Sequence, residues 1–429
     1  MHFTSTWLLV LFMLVLSACR ERPSGYSAPA SAPVRIEQRG DSVLLLRHGQ
    51  PYFIKGGGGS THLDRLRACG GNSVRVWDDL DAGAVLDEAY RLGMTVMLGI
   101  WVERETDGFD YNDRAAVDRQ RERVRRTVLK YRNHPALLLW CVGNEWAQDA
   151  DNFAVFDEVS RLTALVHELD SGHPITTAIS PDSGRSIWLV RERCPEIDIL
   201  SVNAYGVMPQ LRQFLDEGGW KKPYLVSEFG AKGYWEAPLT PWQVPIEPLT
   251  QEKQAFVKQT YLQYIGSQPS GCLGAYMFYW GSKQEETHTW FSFFDDEGRE
   301  SALVGLMQEL WTGRRPANQA PVIRAVQVDG QTRTHRVFAP SAVHQVRLLV
   351  GDPDGDSLTY RWGIKPSAQH TSDYTNTPLP ALSGLVQSPT AAGTAIRIPR
   401  QPGIYRLFVD VYDTHNHVSS TNLAFQVKQ

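Results

Sequence analysis

The feature that most constrains the fold is a regular alternation of apolar, strand-like runs with amphipathic helical stretches between Val34 and Gly313. Eight runs have the apolar content of buried strands, and helical stretches that end at Gly or Pro separate most of them. Eight such units in about 280 residues match the size of a closed (β/α)8 barrel, which has a parallel sheet. We therefore predict an α/β fold, a TIM barrel over residues 34–315. We also predict a β-hairpin over residues 34–53 that closes the bottom of this barrel.

The pattern changes after a Pro-containing linker, Gly313–Pro321. Short runs of alternating hydrophobicity follow, with turn signals between them and no helical pattern. We predict a small all-β domain over residues 316–429, an immunoglobulin-like or cadherin-like sandwich. Its segment "DPDGDSLTYRW" carries three Asp that could bind calcium. However, its glycine position differs from that of an EF-hand loop, so we favour an ordinary polar turn.

The start of the chain resembles an export signal. The apolar stretch Trp7–Leu16 is too short for a typical transmembrane helix. It is followed by Leu-Ser-Ala-Cys, which resembles a bacterial lipobox ending at Cys19. We predict a lipoprotein signal peptide over residues 1–18, lipidation of Cys19 and a flexible Pro/Ser-rich tether over residues 19–33. An ordinary secretory signal with a chance Cys is the alternative.

The predicted location follows from the residue after the lipobox. Arg20 stands where lipoproteins retained in the inner membrane carry Asp. We therefore expect an exported outer-membrane lipoprotein, periplasmic or at the cell surface, whose membrane contact is its N-terminal lipid anchor.

Composition excludes some function classes. The net charge of -4 and the pI of about 6.3 give no basic stripe, so we expect no nucleic-acid partner. The four Cys beyond Cys19 show no disulfide framework and no paired CxxC, so we expect buried free thiols and neither a zinc site nor a redox centre. No metal and no cofactor are expected. The 13 Trp residues suit stacking on sugar rings, but large cores also use Trp.

Catalytic groups of a TIM barrel lie at the C-terminal ends of its strands. The predicted strand ends carry the following candidates: Arg75, Trp77 and Asp78 on strand two, Trp101 and Glu103 on strand three, Asn144 and Glu145 on strand four, Asn203 and Tyr205 on strand six, Glu228 on strand seven, and Trp280 on strand eight.

Two carboxylates stand out among these candidates. Three βα units of about 30 residues each fit the spacing between Glu145 and Glu228, which places them on strands that face each other across the barrel mouth. Glycosidic cleavage needs such a pair, one protonated and one ionised. Burial at the end of the apolar run "LLLWCVGNEW" would keep Glu145 protonated. Arg75 would keep its partner ionised and Tyr205 would donate a hydrogen bond to it.

The segment "RNHPALLLWCVGNEW" (residues 132–146) is similar to the catalytic signature of glycoside hydrolase family 2, the family of β-galactosidases, β-glucuronidases and β-mannosidases. Asn-Glu at the end of strand four and Glu at the end of strand seven also resemble clan A hydrolases more widely. The resemblance implies Glu145 as general acid/base, Glu228 as nucleophile and Asn144 as the group that binds the substrate's 2-hydroxyl. It also implies supporting roles for Arg75, Tyr205 and Trp280.

The sequence departs from that family in two ways. Family 2 enzymes carry a jelly-roll and an Ig-like domain before the barrel, whereas this chain has a short hairpin. The first strand ends in the run Gly56–Gly59 where the family usually has Asn-Arg-His. Because glycine carries no side chain, we expect a more open cleft, suited to a β-glucan or oligosaccharide.

Other candidates keep two interpretations. Trp280 is expected to bind substrate as a platform, with a place in the core as the alternative. Trp77 and Trp101 either stack on sugar or pack in the core. Asn203 either contacts substrate or caps its loop.

We predict a retaining β-glycoside hydrolase that acts on β-linked oligo- or polysaccharides by double displacement. One alternative is a β-glucan transglycosylase that uses the same site, with the aromatic loops "GYWEAPLTPWQVP" and "HTWFSFF" as acceptor subsites. The other is a catalytically inactive carbohydrate-binding lipoprotein at the cell surface.

Overall fold

The structure is a computed structural model that describes residues 32–40, 42–148, 152–332, 335–367 and 379–428. The predicted signal peptide, Cys19 and most of the predicted tether lie outside the described residues. None of the described helices is both long and apolar enough to cross a membrane.

A three-stranded antiparallel sheet precedes the barrel: β1 (Val34–Arg39), β2 (Ser42–Arg47) and β3 (Gln50–Pro51). Val34 and Leu45 are buried in one cluster with residues of the barrel interior, such as Leu138. The backbone N–H of Val34 donates to the carbonyl of Gly172, in the loop ahead of a barrel strand. The hairpin therefore closes the N-terminal end of the barrel, as the sequence predicts.

Eight parallel strands close into a barrel, and all eight strands predicted from the sequence are confirmed. They are β4 (Ile54–Gly58), β5 (Ser73–Val76), β6 (Thr95–Ile100), β7 (Leu137–Asn144), β8 (Ile175–Ile179), β9 (Ile199–Asn203), β10 (Tyr224–Phe229) and β11 (Cys272–Met277). Each strand pairs with its neighbours in chain order, and β11 returns to pair with β4.

Helices surround this barrel and pack on its strands. They are α1 (Leu63–Ala68), α2 (Ala82–Arg91), α3 (Arg114–Tyr131), α4 (Ala154–Leu169), α5 (Gly184–Arg193), α6 (Leu211–Glu217), α7 (Thr250–Tyr264) and α8 (Ala302–Thr312). Short 3-10 helices lie at Glu105–Asp107, Met208–Gln210 and Tyr234–Glu236. The four Cys beyond Cys19 are buried free thiols, as predicted: Cys69, Cys141, Cys194 and Cys272.

The glycine run does not leave space at the barrel mouth. Gly56, Gly57 and Gly58 lie inside β4 and are buried. A Cβ on Gly56 would overlap the ring of Tyr276, and one on Gly57 would approach Trp280 to 3.0 Å. Bulky aromatic side chains from β11 and from the segment directly after it occupy the space that these glycines leave. The expectation that this run opens the cleft is therefore wrong.

Two sheets form the C-terminal region, with one hydrophobic cluster between them. The strands are β12 (Glu300–Ser301), β13 (Val322–Val328), β14 (Gln331–Thr332), β15 (His335–Phe338), β16 (Val343–Gly351), β17 (Thr359–Pro366), β18 (Gly393–Arg397), β19 (Gly403–Tyr412) and β20 (His417–Val427). One sheet runs β12-β20-β19-β17 with β15 also on β20, and the other runs β14-β13-β16-β18. No helix is present among the described residues from 322 to 428. This confirms an all-β region after the barrel.

The sandwich and the barrel share hydrogen bonds. β12 precedes α8 and pairs with β20, which places a barrel-side segment at the edge of a sandwich sheet. The side-chain amide of Gln251 on α7 donates to the carbonyl of Ile323 at 2.8 Å. The aspartate-rich turn is also tied to the linker, because Asn318 donates to Asp356 at 2.6 Å. The two regions are therefore in direct contact.

Candidate active site

Glu145 directly follows β7, whose residues are buried up to Gly143. Gly143 has φ +79°, and a Cβ there would overlap the indole of Trp146. Glu145 itself has φ +51°, in the left-handed region that non-glycine residues seldom adopt. Its backbone N–H donates to the carbonyl of Ala178 at 2.9 Å, which holds this turn on the next strand. A strained, anchored turn thus presents Glu145 at the barrel mouth.

Glu228 lies in β10 on the other side of the mouth and is 6% exposed. One of its carboxylate oxygens accepts hydrogen bonds from Arg75 at 2.7 Å and from Trp77 Nε1 at 2.9 Å. The other accepts one from the Tyr205 hydroxyl at 2.8 Å. Three donors, one of them cationic, hold this carboxylate in one orientation. Glu228 is therefore built as an oriented anion.

Two asparagines connect this anion to Glu145. Asn203 donates to Glu145 Oε1 at 2.8 Å and to Asn144 Oδ1 at 3.1 Å. Arg75 donates to Asn144 Oδ1 at 2.6 Å, while it also pairs with Glu228. Asn203 is therefore a hydrogen-bond partner of Glu145 within the site, and its side chain does more than cap a loop.

Burial raises the pKa of Glu145 to about 7, and the negative charge of Glu228 adds to this effect. The hydrogen bond from Asn203 and the charges of Arg75 and Arg104 oppose it. Burial and the charge of Glu228 also raise the pKa of Tyr205 well above its usual value, so its hydroxyl keeps its proton. One carboxyl group is thus poised to hold a proton near neutral pH, and the other accepts hydrogen bonds as an anion.

An aromatic cluster lines the site on the Glu228 side. It consists of Tyr205, Phe278, Trp290 and Phe291, with Trp77, Tyr234 and Tyr279 packed against it. Phe278, directly after β11, meets Trp77 edge-on at 5.7 Å between ring centroids and Tyr205 at 6.1 Å. Trp77 therefore combines packing in this cluster with a hydrogen bond to Glu228, a role the sequence did not suggest.

Trp280 does not lie in this cluster. Its side chain is fully buried in the main core against Phe293, Phe294 and Trp311. Its Nε1 donates to the backbone carbonyl of His62 at 3.1 Å. This corrects the prediction that Trp280 binds substrate. The strand ends at Met277, three residues earlier than Trp280, so Phe278 is the aromatic residue that faces the site.

Trp101 lies after β6 and is half-buried. Its Nε1 donates to Glu103 at 3.2 Å, and the guanidinium of Arg104 lies 5.6 Å from its ring centroid. Because β6 pairs with β7, Trp101 lies on the Glu145 side of the mouth. Sugar stacking on Trp101 stays a prediction.

Phe278 belongs to the aromatic cluster, and two charged residues, Lys283 and Glu285, lie next to it. None of the three is among the candidates at the predicted strand ends. The Lys283 ammonium lies 5.1 Å from the Phe278 ring centroid and 3.0 Å from Glu285. Charged residues in a loop are usually solvated, so the sequence alone gave no signal that these two are largely buried.

Potential metal ligands lie elsewhere. Among the described residues, one group of carboxylates has oxygens within 4.8 Å of one another, and it lies in the sandwich: Asp352, Asp356 and Asp413. The catalytic candidates instead use their carboxylates with Arg75, Trp77, Tyr205 and Asn203, which is an arrangement for proton transfer and nucleophilic attack.

Comparison with known proteins agrees with this geometry. The family model "Glycosyl hydrolases family 2, TIM barrel domain" matches residues 77–264, which include both Glu145 and Glu228. A β-galactosidase of Lactococcus lactis subsp. lactis is 26% identical over 139 residues, which are 29% of this chain and 13% of that protein.

Solved structures give the same fold at low sequence identity. A GH2 β-galacturonidase from Eisenbergiella tayi is 19% identical with a TM-score of 0.51, over 66% of this chain and 54% of that one. A β-D-glucuronidase from Dictyoglomus thermophilum is 18% identical with a TM-score of 0.51, over the same shares. A calcium-binding mutant of β-glucuronidase 2 from Bacteroides uniformis is 15% identical with a TM-score of 0.51, over 92% of this chain and 48% of that one.

The chain thus spans about half the length of these solved structures and 13% of the curated relative. The likeness to the solved structures concerns the fold, and the family match concerns the barrel. On these grounds, the barrel of this chain is a glycoside hydrolase family 2-like (β/α)8 domain.

Proposed function

We propose that this protein is a retaining β-glycoside hydrolase that acts on β-linked oligo- or polysaccharides. The observation that carries the proposal is the unequal pair of carboxyl groups at the barrel mouth. Burial raises the pKa of Glu145 to about 7, while Glu228 accepts hydrogen bonds from Arg75, Trp77 and Tyr205. A protonated acid beside an oriented anion is what glycosidic cleavage needs.

In the first step, a carboxylate oxygen of Glu228 attacks the anomeric carbon. The bond from this carbon to the leaving oxygen breaks, and the leaving oxygen takes the proton of Glu145. The product is a glycosyl ester of Glu228 and an ionised Glu145. Arg75 already neutralises Glu228, and the hydroxyl of Tyr205 orients it, so little rearrangement is needed for attack.

In the second step, Glu145 takes a proton from water and the water oxygen attacks the anomeric carbon. The ester bond breaks, and its electron pair returns to Glu228 as carboxylate. Two inversions restore the β configuration. The oxygen of the Asn144 side chain accepts from Arg75 and Asn203, which turns its amide nitrogen the other way, toward a sugar hydroxyl.

The test is turnover of a panel of aryl β-glycosides and β-glucan oligosaccharides by the wild type, Glu145→Ala and Glu228→Ala, with and without azide. Glu228→Ala should lose roughly a thousandfold or more in kcat, and azide should restore it with an α-glycosyl azide as product. Glu145→Ala should give the β-glycosyl azide. Glu192→Ala, on the exposed face of α5, is the matched control and should behave as the wild type.

Wild-type protein that binds a glycan without turning any substrate over would instead support the inactive carbohydrate-binding alternative. An α-configured first product from a β-glycoside would contradict the retaining mechanism, because a single displacement inverts the anomeric centre.

Transglycosylation is a second candidate because an exposed aromatic residue borders the site. Trp235 is 56% exposed, and its ring lies edge-on to Tyr205 at 5.5 Å. Such an indole can stack on an incoming sugar, which then replaces water in the second step. Chromatography of products at high oligosaccharide concentration separates the two: elongated products indicate transfer, and shortened products alone indicate hydrolysis.

We also propose that the protein is exported and anchored by a lipid on Cys19. The support is the sequence, with its short apolar stretch followed by Leu-Ser-Ala-Cys. Labelling of expressing cells with a palmitate analogue should mark the wild type and leave Cys19→Ala unmarked. Equal labelling of both proteins would contradict the anchor.

A further inference from the structure

The loop after β11, residues 281–291, places an ion pair on the aromatic side of the site. Lys283 Nζ lies 3.0 Å from Glu285 Oε2, and the two side chains are 16% and 19% exposed. The same ammonium lies 5.1 Å from the ring centroid of Phe278 and 5.8 Å from that of Tyr279. Phe278 in turn packs on Tyr205, the hydrogen-bond donor to Glu228. The pair therefore adjoins the aromatic wall of the site.

The electrostatic environment of Glu285 supports this placement. Burial raises the pKa of Glu285, Lys283 opposes the change, and the charge of Glu228 raises the pKa further. The charge of Glu285 also contributes to the raised pKa of Tyr205. Glu285 and the catalytic groups thus share one poorly solvated space, whereas a surface ion pair would be screened by water.

The next residue ties this loop to the sandwich. Glu286 has φ +56° and a side chain that is 2% exposed, and it accepts a hydrogen bond from Arg406 at 2.7 Å. Arg406, on β19, is also 2% exposed at its side chain and donates to Pro245 O at 2.9 Å and Asn422 Oδ1 at 2.8 Å. A buried arginine from the C-terminal region therefore holds the residue beside Glu285.

A second buried carboxylate fixes the far end of the loop. Glu247 accepts hydrogen bonds from Thr287 at 2.7 Å and Thr289 at 2.9 Å. It also pairs with Lys253 at 2.6 Å and accepts from Asn422 of β20 at 2.6 Å. The sandwich thus contacts this loop in two ways. Arg406 bonds Glu286 within the loop, and Asn422 bonds Glu247, which holds the two threonines of the loop.

The chemistry of the pair indicates what it can contact. A carboxylate accepts hydrogen bonds from one or two hydroxyls of a pyranose, and an ammonium donates to a ring or hydroxyl oxygen. Because Lys283 is already paired with Glu285, the wall offers no uncompensated positive charge. A sugar carboxylate placed beside Glu285 would be repelled, because like charges at short range repel each other in a poorly solvated site.

We infer that the Lys283–Glu285 pair contacts the bound sugar and selects neutral β-glycosides over β-uronides, and that Arg406 of the sandwich positions this pair through Glu286. The inference rests on the proposed glycosidase function and deepens it. Glu285 is thus a substrate-contacting residue, and Arg406 is a positioning residue. The sandwich is then a structural part of the substrate-binding pocket.

The first test measures kcat/KM for a matched set of neutral aryl β-glycosides and the aryl β-glucuronide. Glu285→Ala should lower the value for the best neutral substrate by about 10- to 100-fold, the usual loss for a hydrogen bond to a charged group. Glu285→Gln should lower the neutral-to-uronide ratio by about tenfold, because it keeps the size but removes the repelling charge. Glu192→Gln, an exposed Glu on α5, is the control and should leave the ratio unchanged.

The second test separates positioning from general stability. Arg406→Met should raise KM for the neutral substrate by about tenfold and lower the selectivity ratio, with kcat much less affected because Glu145 and Glu228 are untouched. Arg406→Lys keeps the charge and should restore part of the loss. A purely structural arginine would lower the melting temperature or the folded fraction while the folded enzyme kept its KM and its ratio.

Two outcomes overturn this inference and leave the proposed function standing. One is a wild-type enzyme that prefers the β-glucuronide. The other is an unchanged neutral-to-uronide ratio in Glu285→Gln, Glu285→Ala and Arg406→Met, each folded and active. Failure of the proposed function is a different result: no turnover of any β-glycoside by the wild type, and no azide product from Glu228→Ala.

Discussion

Asn203 and Arg75 together link the carboxyl groups of Glu145 and Glu228 through one chain of hydrogen bonds. The amide nitrogen of Asn203 donates to Glu145 at 2.8 Å, and its oxygen lies 3.3 Å from the Arg75 guanidinium. That guanidinium donates to Glu228 at 2.7 Å. Ser227 fixes the orientation of the amide, since its hydroxyl donates to the same Asn203 oxygen at 2.7 Å. Asn203 and Arg75, which contact each other, therefore couple the positions of the two carboxyl groups.

Removal of the Asn203 side chain should change the pH dependence. The hydrogen bond from Asn203 lowers the pKa of Glu145, so Asn203→Ala should raise that pKa above its wild-type value of about 7. The alkaline limb of the kcat/KM profile, which reports loss of the proton from the general acid, should move to higher pH while the maximum falls. The measurement is a pH–rate profile with an aryl β-glycoside. Asn112→Ala, at an exposed position, should leave the limb in place.

The raised pKa of Glu145 should also appear in stability. Folding raises this pKa from 4.5 to about 7, so the folded state binds more protons than the unfolded state between these values. Stability therefore falls as pH rises through that range, by on the order of 3 kcal/mol from this group. Glu145→Gln lacks the titration and should unfold at higher denaturant concentration than the wild type at pH 8. The two proteins should converge below pH 4.5, and a constant difference across pH would contradict the argument.

The sequence was sufficient for the barrel because each buried strand is a continuous apolar run and each run has its own break. The two carboxylates could also be predicted from the sequence, since Asn144-Glu145 and Glu228 lie at the ends of such runs. Strand ends were harder. "CLGAYMFYWG" continues to be apolar after β11 stops at Met277, so Trp280 was placed at the site and Phe278 was not.

Contacts between distant segments could not be derived in the same way. Glu286, the neighbour of the buried Lys283–Glu285 pair, is bonded to Arg406, which lies more than a hundred residues later in the chain. No local pattern encodes that contact. The prediction of an open cleft beside the glycines of β4 was wrong for a related reason. The rings that fill the space beside these glycines belong to Tyr276 and Trp280, which lie far away in the chain.

Loss of Arg75 should reduce both stability and activity. Its side chain is 1% exposed and pairs with Glu228, which is 8% exposed at its side chain, so Arg75→Met leaves a buried carboxylate without its cation. The expected loss in free energy of unfolding is about 3–5 kcal/mol. Denaturant titration measures this loss, and steady-state kinetics should show activity near background.

A double variant distinguishes charge from packing. Arg75→Met combined with Glu228→Gln removes the unpaired charge, so much of the lost stability should return while activity stays absent. If the double variant is as unstable as Arg75→Met alone, the loss comes from the packing of Arg75 against Trp77 and its hydrogen bond to Asn144 instead.

Substitution of a barrel glycine should be more damaging than its small size suggests. A Cβ at Gly56 would overlap the ring of Tyr276, which is fully buried and hydrogen-bonded to Ser73 at 2.9 Å. The ring has little freedom to move, so Gly56→Ala should destabilise the protein by about 1–3 kcal/mol, the usual loss on overpacking. Denaturant titration measures the change. Gly351→Ala is the matched control, because nothing lies within 4 Å of the added carbon, and it should leave stability nearly unchanged. An equal change in the free energy of unfolding for the two variants would contradict this prediction, because it would show that Tyr276 can move to make room for the added carbon.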